Sequence, residues 1–312
     1  MRCFVTGATG AVGRPLVRAL RVAGHDVRGV ARSDTKAEEL RAAGAESVQV
    51  DLFDEAAVVD GITGCDAIVH FATNVPPLSK VGFPWAWKAH NRLRTETTRH
   101  LLAGAQQHGI RRVVKESITF TYPDRGDEWI DEGVAPDASV KPLRPTLEGE
   151  RLVEAFTSAG GEGVVLRFGL FYGPDNRAID EALRTAKIRL YPIAGRGTSY
   201  MSSIHVDDAA TAAVAALTAP PGIYNVVDDE PLTRREYVDA FSAAFDLPRL
   251  RIAPWWLLRA IGGAGAKALY PSQRVSNGRF LEATGWAPTV RSAQDGWAAI
   301  GAAHGHDEGE PT

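Results

Sequence analysis

The stretch "VTGATGAVGRPLVRAL", residues 5–20, joins an apolar run to a segment with apolar residues at helical spacing. Three glycines, Gly7, Gly10 and Gly13, lie at the junction. Glycines let a backbone turn tightly and approach a pyrophosphate, and the free N–H groups of a helix N-terminus attract phosphates. A glycine trio alone is a weak signal, but this one lies between a strand and a helix. The stretch therefore predicts a dinucleotide-binding βαβ unit.

Short apolar, β-rich runs alternate with helical patterns well beyond this unit. Strands spaced by helices of this length form parallel sheets with helices on both faces. The sequence therefore predicts an α/β fold, a doubly wound parallel sheet of the Rossmann type. The predicted strands lie at 3–6, 26–31, 47–50, 67–71, 111–117, 163–169 and 223–227.

After residue 170 the chain becomes richer in Gly, Pro and Trp, which indicates a smaller, mainly helical C-terminal cap. The last residues are polar and favour disorder. We assign 1–170 plus 203–227 to the dinucleotide-binding domain, 171–202 plus 228–303 to the substrate-binding cap, and 304–312 to a disordered tail.

Composition excludes several classes of partner. Among 312 residues, 45% are apolar, 23% are charged and the net charge is −3, so no nucleic-acid partner is expected. Cys3 and Cys65 are too few and too far apart for a disulfide framework or a metal site. The most apolar segment, 252–270, is broken by charges and glycines, so packing in the cap is favoured over a membrane-surface helix. With no leader before the first strand, we expect a cytoplasmic protein without a membrane partner.

The glycine spacing is G-x-x-G-x-x-G, and further motifs accompany it. They are "VDLFD" (50–54), "FATN" (71–74), "HNRLRTETTRHLLAGAQQHGIRRVV" (90–114), "LRFGLFYGPD" (166–175), "SSIHVDDAA" (202–210) and "GIYNVVDDEPLT" (222–233). Together they resemble the extended and atypical short-chain dehydrogenase/reductases, in the NAD(P)-dependent epimerase/dehydratase group. The resemblance runs from residue 1 to about 300 and implies a nicotinamide cofactor and an oxidoreductase. It is not specific to a substrate.

The same resemblance implies which residues contact the cofactor. The glycine turn would bind the phosphates, residues after the third strand the adenine, and the ends of later strands the ribose and nicotinamide. In chain order they are Gly7, Thr9, Gly10, Ala11, Val12, Gly13, Asp51, Leu52, Phe71, Ala72, Thr73, Asn91, Phe168, Gly169 and Leu170.

The end of the second strand distinguishes the two nicotinamide dinucleotides. An NAD site usually places an acidic residue there for the ribose 2′-OH. This chain has Arg32 and Ser33, with Lys36 nearby. Arginine can hold a 2′-phosphate bidentately, which favours NADP(H) over NAD(H). In the alternative, Arg32 is a solvated surface residue and Asp34 takes the ribose.

A group of acidic residues and a histidine has the look of a metal site. His205 precedes Asp207 and Asp208. The resemblance implies a strand-to-helix step instead, with one of the two aspartates capping the helix. No metal is expected.

In the family, a Ser or Thr orients the substrate carbonyl, a Tyr exchanges the proton, and a Lys four residues later lowers the tyrosine pKa. Hydride transfer to a carbonyl leaves an alkoxide that must be protonated, which explains this set. Aligning "KESITFTYPD" (115–124) through Tyr122 puts Ile118 at the serine position, flanked by Ser117 and Thr119.

The tyrosine and lysine positions are also changed. Counting back from Glu154 puts Thr146 at the tyrosine position and Glu150 at the lysine position, and 140–156 contains no tyrosine. The two residues share one helix face, which the alignment turns toward the nicotinamide, where Glu150 would accept hydrogen bonds from ribose hydroxyls. Cofactor binding would survive, but the standard proton relay would not.

Three hypotheses follow. The first is an NAD(P)H-dependent ketoreductase acting on an aromatic or polyketide-like carbonyl, with the proton from water, the substrate or a side chain. The second is a sugar-nucleotide epimerase or dehydratase, and the third is a non-catalytic NADP(H)-binding sensor. The candidate proton donors are Ser117, Thr119, Tyr122 and Tyr172.

The cap favours an enzyme, because it offers polar and aromatic side chains to a cleft. These are Tyr191, Arg196, Tyr200 and Arg274, whereas Trp255 and Trp256 are expected in the cap core. The partner would be a small carbonyl compound. A homodimer through helices near 85–108 and 145–159 is also expected.

Overall fold

The computed structural model describes residues 1–77, 80, 82–174, 177–254 and 270–307. The strands are β1 (Arg2–Thr6), β2 (Asp26–Val30), β3 (Glu46–Val48), β4 (Ala67–His70), β5 (Arg112–Ile118), β6 (Trp129–Ile130), β7 (Glu162–Phe168), β8 (Leu170–Tyr172), β9 (Leu190–Ala194), β10 (Tyr200–Met201), β11 (Ser203–His205), β12 (Gly222–Val226), β13 (Leu232–Thr233), β14 (Arg251–Ala253) and β15 (Arg274–Val275). The helices are α1 (Gly13–Val22), α2 (Asp34–Ala42), α3 (Glu55–Gly61), α4 (Lys88–Arg92), α5 (Thr98–His108), α6 (Arg144–Ser158), α7 (Arg177–Ala186), α8 (Val206–Ala215), α9 (Arg234–Ala244), α10 (Gly278–Thr284) and α11 (Ala293–Asp307). A π-helical turn, Leu93–Thr97, joins α4 to α5.

The main sheet has seven strands in the order β12-β7-β5-β4-β1-β2-β3. Every neighbouring pair in it is parallel. One face packs against α1 and α8, and the other against α3, α5 and α6. The doubly wound parallel fold is therefore confirmed, including the seventh strand at the sheet edge.

The strand register places polar residues side by side near the carboxyl edge of the sheet. Ser117 on β5 pairs with Arg167 on β7, and Arg167 pairs with Asn225 on β12. His70 on β4 pairs with Lys115, two residues before Ser117. Because side chains alternate along a strand and register partners share a face, these five side chains lie on one face. It is the face that α6 covers.

The cap is organised around its own aromatic core. Trp297 on α11 packs against Tyr237 and Phe241 of α9 and against Tyr172 at the end of β8. Tyr191, expected to face a cleft, is only 7% exposed and contacts Phe241 in this core. Short strand pairs, β8–β11, β9–β14, β10–β13 and β6–β15, connect the cap to the main domain or brace it.

Two segments differ from the expected domain outline. Phe280 of α10 packs against Tyr224 of β12 and against Trp286, within the core of the main sheet and not that of the cap. Helix α11 runs through Asp307, so it includes the first residues of the segment expected to be disordered.

Other expectations fall outside the described residues. They concern Trp255, Trp256, most of the apolar segment 252–270, and residues 308–312. Among the helices that the structure describes, none combines the length and apolarity needed to cross a bilayer.

Candidate active site

The turn after β1 has the shape that the glycines predict. Gly7 has a φ of +74°, and a Cβ there would lie 2.5 Å from the carbonyl oxygen of Phe71. A Cβ on Gly13 would lie 1.9 Å from the carbonyl oxygen of Gly7. No side chain caps α1, whose first turn holds no acidic residue, and Thr9, Gly10 and Ala11 are accessible there. This loop and helix N-terminus fit a pyrophosphate.

An exposed arginine, Arg32, follows the end of β2. Arg32 is exposed and forms no ion pair with any residue that the structure describes. Ser33 caps α2 by accepting a hydrogen bond from the Lys36 N–H, and the Lys36 ammonium is paired with Glu39. The carboxylate of Asp34 accepts a hydrogen bond from Gln49 at 2.9 Å.

The segments expected along the adenine and ribose come from neighbouring strand ends. Asp51 is exposed and its carboxylate accepts a hydrogen bond from the N–H of Phe53, while the Leu52 carbonyl is bound by Thr97 Oγ1. The N–H of Ala72 donates to Thr6 Oγ1 at 3.3 Å, and Thr73 is exposed beside it. These contacts join the segment after β3 to the π-helical turn and the segment after β4 to the end of β1.

Two further segments meet where the nicotinamide was expected. Phe71 after β4 and Phe168 at the end of β7 have ring centroids 5.5 Å apart. A Cβ on Gly169 would lie 2.7 Å from the carbonyl oxygen of Ser202, and Leu170 N–H donates to that same oxygen. Backbone therefore packs on backbone at this point, which explains the glycine.

Asn91 lies on α4, one residue from the π-helical turn. Its side chain is half-buried and its carbonyl accepts a hydrogen bond from Thr95 Oγ1. A π turn inserted in an α-helix often accompanies a functional site. Here it carries the Leu93 carbonyl, which contacts Nε2 of the buried His70.

A closed network of polar side chains includes Glu150, the residue that the alignment assigns to the family's lysine position. Both oxygens of Glu150 pair with Arg167, at 2.9 Å to Nε and 2.6 Å to Nη2. Ser117 Oγ donates to the same carboxylate. Arg167 Nη1 donates to the Tyr122 hydroxyl at 2.9 Å, and that hydroxyl donates to Asn225 Oδ1 at 2.8 Å.

This network differs from the expected one. Glu150 is 3% exposed, and its oxygens are engaged by Arg167 and Ser117, not turned to a cofactor ribose. Burial raises the pKa of Tyr122, which makes its hydroxyl a weaker acid. Thr119 and Thr146 are 1% and 2% exposed. The centre of the network is therefore a buried ion pair between Glu150 and Arg167.

Tyr172 lies outside this network. It is buried in the cap core and its hydroxyl donates to the carbonyl of Ser292 at 3.2 Å. Burial raises its pKa, as it does for Tyr122.

A second buried charge cluster adjoins the first, and sequence reasoning missed it. Arg94, in the π turn, pairs with Glu116 and also donates to its carbonyl oxygen at 2.9 Å. Lys115 Nζ donates to that carbonyl at 3.0 Å and lies against Gly149 of α6, where a Cβ would be 2.8 Å from Lys115 Cε. Burial and the charge of Arg94 lower the pKa of Lys115 to about 7.

A signal for both clusters was present in the sequence. Lys115, Glu116 and Arg167 interrupt apolar strand runs, and charged residues are almost never fully buried unless paired. Asn225 gives a weaker signal of the same kind. Their partners could not be read, because the pairing depends on strand order.

The HVDD motif is structural, but the cap is not the one expected. His205, not either aspartate, caps α8 by accepting a hydrogen bond from the Asp207 N–H. Asp208 instead accepts hydrogen bonds from the N–H groups of Thr289 and Val290. Within the described ranges, no three His, Cys, Asp or Glu side chains are grouped so as to hold a metal ion.

Comparison with known proteins agrees with this geometry. The profile of the NAD dependent epimerase/dehydratase family matches residues 3–226. The chain belongs to this family.

Curated relatives within the family are named as reductases. The chain is 36% identical over 310 residues to a 3-diazoavenalumate denitrifying reductase of Streptomyces sp., covering 95% of this chain and 99% of that protein. It is 29% identical over 296 residues to a 2-alkyl-3-oxoalkanoate reductase of Stenotrophomonas maltophilia strain K279a, covering 88% and 85%. These names support an NAD(P)H-dependent reductase as the class of this enzyme.

A solved structure shares the fold. Human epimerase family protein SDR39U1 (isoform 2), determined with NADPH, superposes with a TM-score of 0.78 at 24% identity, covering 97% of this chain and 99% of that one. The glycine turn after β1, with Gly7, Gly10 and Gly13, is called the cradle below. The family description and the geometry of this cradle together indicate an NAD(P) dinucleotide as the cofactor of this chain.

Proposed function

We propose that this protein is an NAD(P)H-dependent reductase that catalyses hydride transfer to a small molecule. In this proposal its own side chains do not relay a proton to the product. The observation that carries the proposal is the buried Glu150–Arg167 pair, because the alignment assigns Glu150 to the family's lysine position and Thr146 to its tyrosine position. Bound NAD(P)H supplies the hydride. The protein positions cofactor and substrate, and positioning alone lowers a barrier by several kcal/mol, about 7 or more in favourable cases.

Two hydroxyl groups near the sheet edge, those of Tyr122 and Ser117, are poor proton donors. Tyr122 has a raised pKa, and its hydroxyl is held between Arg167 and Asn225. Ser117 donates its only proton to Glu150. A ketone reduced here would therefore take its proton from water or from a hydroxyl of its own, after hydride has added to the carbonyl carbon. The named 3-oxoalkanoate reductase supports a small carbonyl compound as the substrate class.

A second candidate substrate needs no proton donor at all. The 36% identical relative is named for a diazo compound and for denitrification. When hydride adds to an arenediazonium carbon, a C–H bond forms, the C–N bond breaks, and dinitrogen leaves with the electron pair of that bond. No alkoxide is formed, so this reaction needs no proton donor.

The experiment that tests the function follows nicotinamide absorbance in mixtures of the protein, NADPH and candidate acceptors. The panel holds 3-oxo acids, aromatic ketones and arenediazonium salts. NADPH deuterated at C4 should leave deuterium on the former carbonyl or diazo carbon, as seen by mass spectrometry. Cofactor binding with no oxidation across the whole panel would contradict the reductase and favour the sensor hypothesis.

Within this proposal, NADP(H) is the preferred cofactor. Arg32 supports it, because an exposed guanidinium at the end of β2 is available for the ribose 2′-phosphate. Dissociation constants for NADPH and NADH measured by calorimetry decide the point. Arg32→Gln should weaken NADPH about tenfold and leave NADH unchanged. Tighter binding of NADH to the unaltered protein would end the NADP(H) preference.

A further inference from the structure

The π-helical turn Leu93–Thr97 is bound at its two ends to two different parts of the sheet edge. Thr97, its last residue, is fully buried, and its Oγ1 donates to the carbonyl of Leu52 after β3 at 2.9 Å. Leu93, its first residue, accepts a hydrogen bond at its carbonyl from Nε2 of His70 on β4 at 3.0 Å. The turn therefore touches the segment that the family resemblance assigns to the adenine, and a strand that leads to the next assigned segment.

His70 extends the second contact to Ala72. Burial, with the charge of Lys115, lowers the pKa of His70 to about 3, so the ring is neutral at physiological pH. A carbonyl oxygen only accepts, so Nε2 holds the single ring proton and Nδ1 is an acceptor. Thr6 Oγ1 lies 2.7 Å from Nδ1 and donates to it, and the same oxygen accepts the N–H of Ala72 at 3.3 Å.

These contacts form one series, which we call the π-turn link. In order of contact its members are Leu52, Thr97, Leu93, His70, Thr6 and Ala72. The three side chains that make its hydrogen bonds, those of Thr97, His70 and Thr6, are at most 3% exposed. Water does not compete with hydrogen bonds at such depth, so the link holds its two outer members in a defined relation.

Contacts with β5 and α6 fix the turn itself. Arg94 pairs with Glu116 of β5, and both side chains are at most 5% exposed. The carbonyl of Arg94 lies so close to α6 that a Cβ on Gly149 would be 2.5 Å from it. Gly149 precedes Glu150 of the closed network. A shift of the turn would therefore disturb a buried ion pair and α6, so the turn is a firm support for the π-turn link.

We propose that the π-turn link holds the segments of Leu52 and Ala72 at the separation that a dinucleotide requires, with Thr97 and His70 as positioning residues. A ligand with two ends gains affinity from both only where the two sites match its length. Setting that spacing before binding also avoids the cost of ordering the segments. The inference rests on the cofactor of the proposed function and on the segments assigned to it, but it does not require turnover.

The test breaks the π-turn link at two places in the full chain. Thr97→Val removes the bond to Leu52, and His70→Leu removes the bonds on both sides of the ring. Each change should weaken NADPH binding about fivefold by calorimetry, the value of one neutral hydrogen bond. Because the contacts act in series, the double variant should also lose about fivefold, and not the product of about 25-fold.

A fragment of the cofactor separates spacing from local damage. Adenosine 2′,5′-bisphosphate can follow a displaced Leu52 segment, whereas NADPH must also reach the cradle. Thr97→Val should therefore change the affinity for the fragment by less than about twofold. Thr97→Ser, which keeps the hydroxyl, should restore NADPH affinity to within about twofold of the unaltered protein.

The matched control is Thr185→Val. Thr185 lies on α7 in the cap, and its Oγ1 donates to the carbonyls of Glu181 and Ala182, so the change removes the same hydroxyl away from the π-turn link. NADPH affinity should stay within about twofold, because distant sites act independently. Thermal melting reports whether each variant is folded. If His70→Leu is not, Thr97→Val, Thr97→Ser and the fragment provide the test.

Three results would overturn the inference. NADPH affinity could be unchanged in folded Thr97→Val, or the fragment could lose as much affinity as NADPH. The double variant could also lose the full product of the two single losses, which would mean two separate local effects. A protein that shows the expected affinities but oxidises no NADPH with any acceptor would keep the inference and lose the reductase.

Discussion

The turn after β1 and the carboxyl edge of β5 and β7 belong to one site, yet they are built on opposite principles. The turn is almost all backbone. Gly7 and Gly13 leave no room for a side chain, and α1 begins without a side-chain cap. The strand edge is almost all side chain, with Glu150, Arg167 and Tyr122 each bound to at least one other member of the network.

The difference shows which part of the site depends on backbone shape and which part depends on the identity of side chains. A backbone cradle recognises phosphate by shape and by N–H groups, so it depends on few residue identities. A proton relay depends on the pKa values of particular side chains. In the proposed function an ion pair stands in place of the relay while the cradle is unchanged, so the family fold is compatible with an altered reaction.

The largest expected effect comes from opening the closed network. Arg167→Met leaves the Glu150 carboxylate buried without its cation, and breaking a buried pair in this way costs about 3–5 kcal/mol of unfolding free energy. Urea denaturation measures it. The double change of Glu150 and Arg167 to methionine should recover most of the loss, because two apolar side chains leave no charge unpaired.

The matched control for this prediction is Arg111→Met. Arg111 pairs with Glu162 but its side chain is 68% exposed, so its loss should cost less than about 1 kcal/mol. Equal losses for Arg111 and Arg167 would mean that burial does not set the strength of the central pair.

A substitution in the cradle should weaken NADPH binding more than it lowers the stability of the fold. Gly7→Ala places a Cβ against the carbonyl of Phe71 at a positive φ, so the turn must open and the phosphate contacts are lost. We expect NADPH affinity to fall about 100-fold, or about 2.7 kcal/mol, by calorimetry.

Gly24→Ala separates backbone strain from site geometry. Gly24 has a similar φ of +79°, but nothing lies within 4 Å of its Cβ position. It should cost about 1 kcal/mol of stability with NADPH affinity unchanged. If both alanines weakened NADPH equally, the close approach at Gly7 would not be what the cofactor requires.

The two regions also differ in how far the sequence predicts them. The cradle follows from local spacing, since Gly7, Gly10 and Gly13 need only the strand before and the helix after them. The strands were likewise placed within a residue or two, for example 111–117 against Arg112–Ile118, because the apolar runs end at turns and charges.

The strand-edge network is not readable in the same way. Ser117, Arg167 and Asn225 are far apart in the chain and meet only because β5, β7 and β12 are neighbours in register. The alignment predicts that the catalytic tyrosine and lysine are replaced at 146 and 150, but it could not show that Glu150 would turn inward to Arg167. Pairing across strands depends on topology, which local pattern does not encode.

Replacing one hydroxyl tests whether the network is structural or chemical. Tyr122→Phe removes the acceptor of Arg167 Nη1 and the donor to Asn225 Oδ1, so we expect about 1–2 kcal/mol less stability. NADPH oxidation should slow by less than about threefold, because this hydroxyl donates no proton to substrate in the proposed reaction. Tyr224→Phe, which loses a single bond to the Pro220 carbonyl, is the control.

A loss of several hundredfold in kcat for Tyr122→Phe, without a matching change for Tyr224→Phe, would make Tyr122 the proton donor. The relay would then be displaced rather than absent, and the contrast between cradle and strand edge would fail.

The last prediction concerns Lys115 and the dependence of stability on pH. Its pKa is about 7 in the folded protein against 10.5 for the free side chain, so between these values the unfolded chain binds more protons. Stability should therefore rise as pH increases from 7 toward 9, by at most about 1.4 kcal/mol per pH unit, the slope of one proton. Thermal melting at several pH values measures this rise.

Lys115→Met should remove the rise, because methionine fills the space beside Gly149 without a charge to bury. The exposed Lys187→Met should keep it. A rise that persists in Lys115→Met would assign the titration to another group and contradict the lowered pKa of Lys115. If the rise disappears, the ammonium of Lys115 is about half protonated at neutral pH in the folded protein, in the charge cluster that adjoins the Glu150–Arg167 pair.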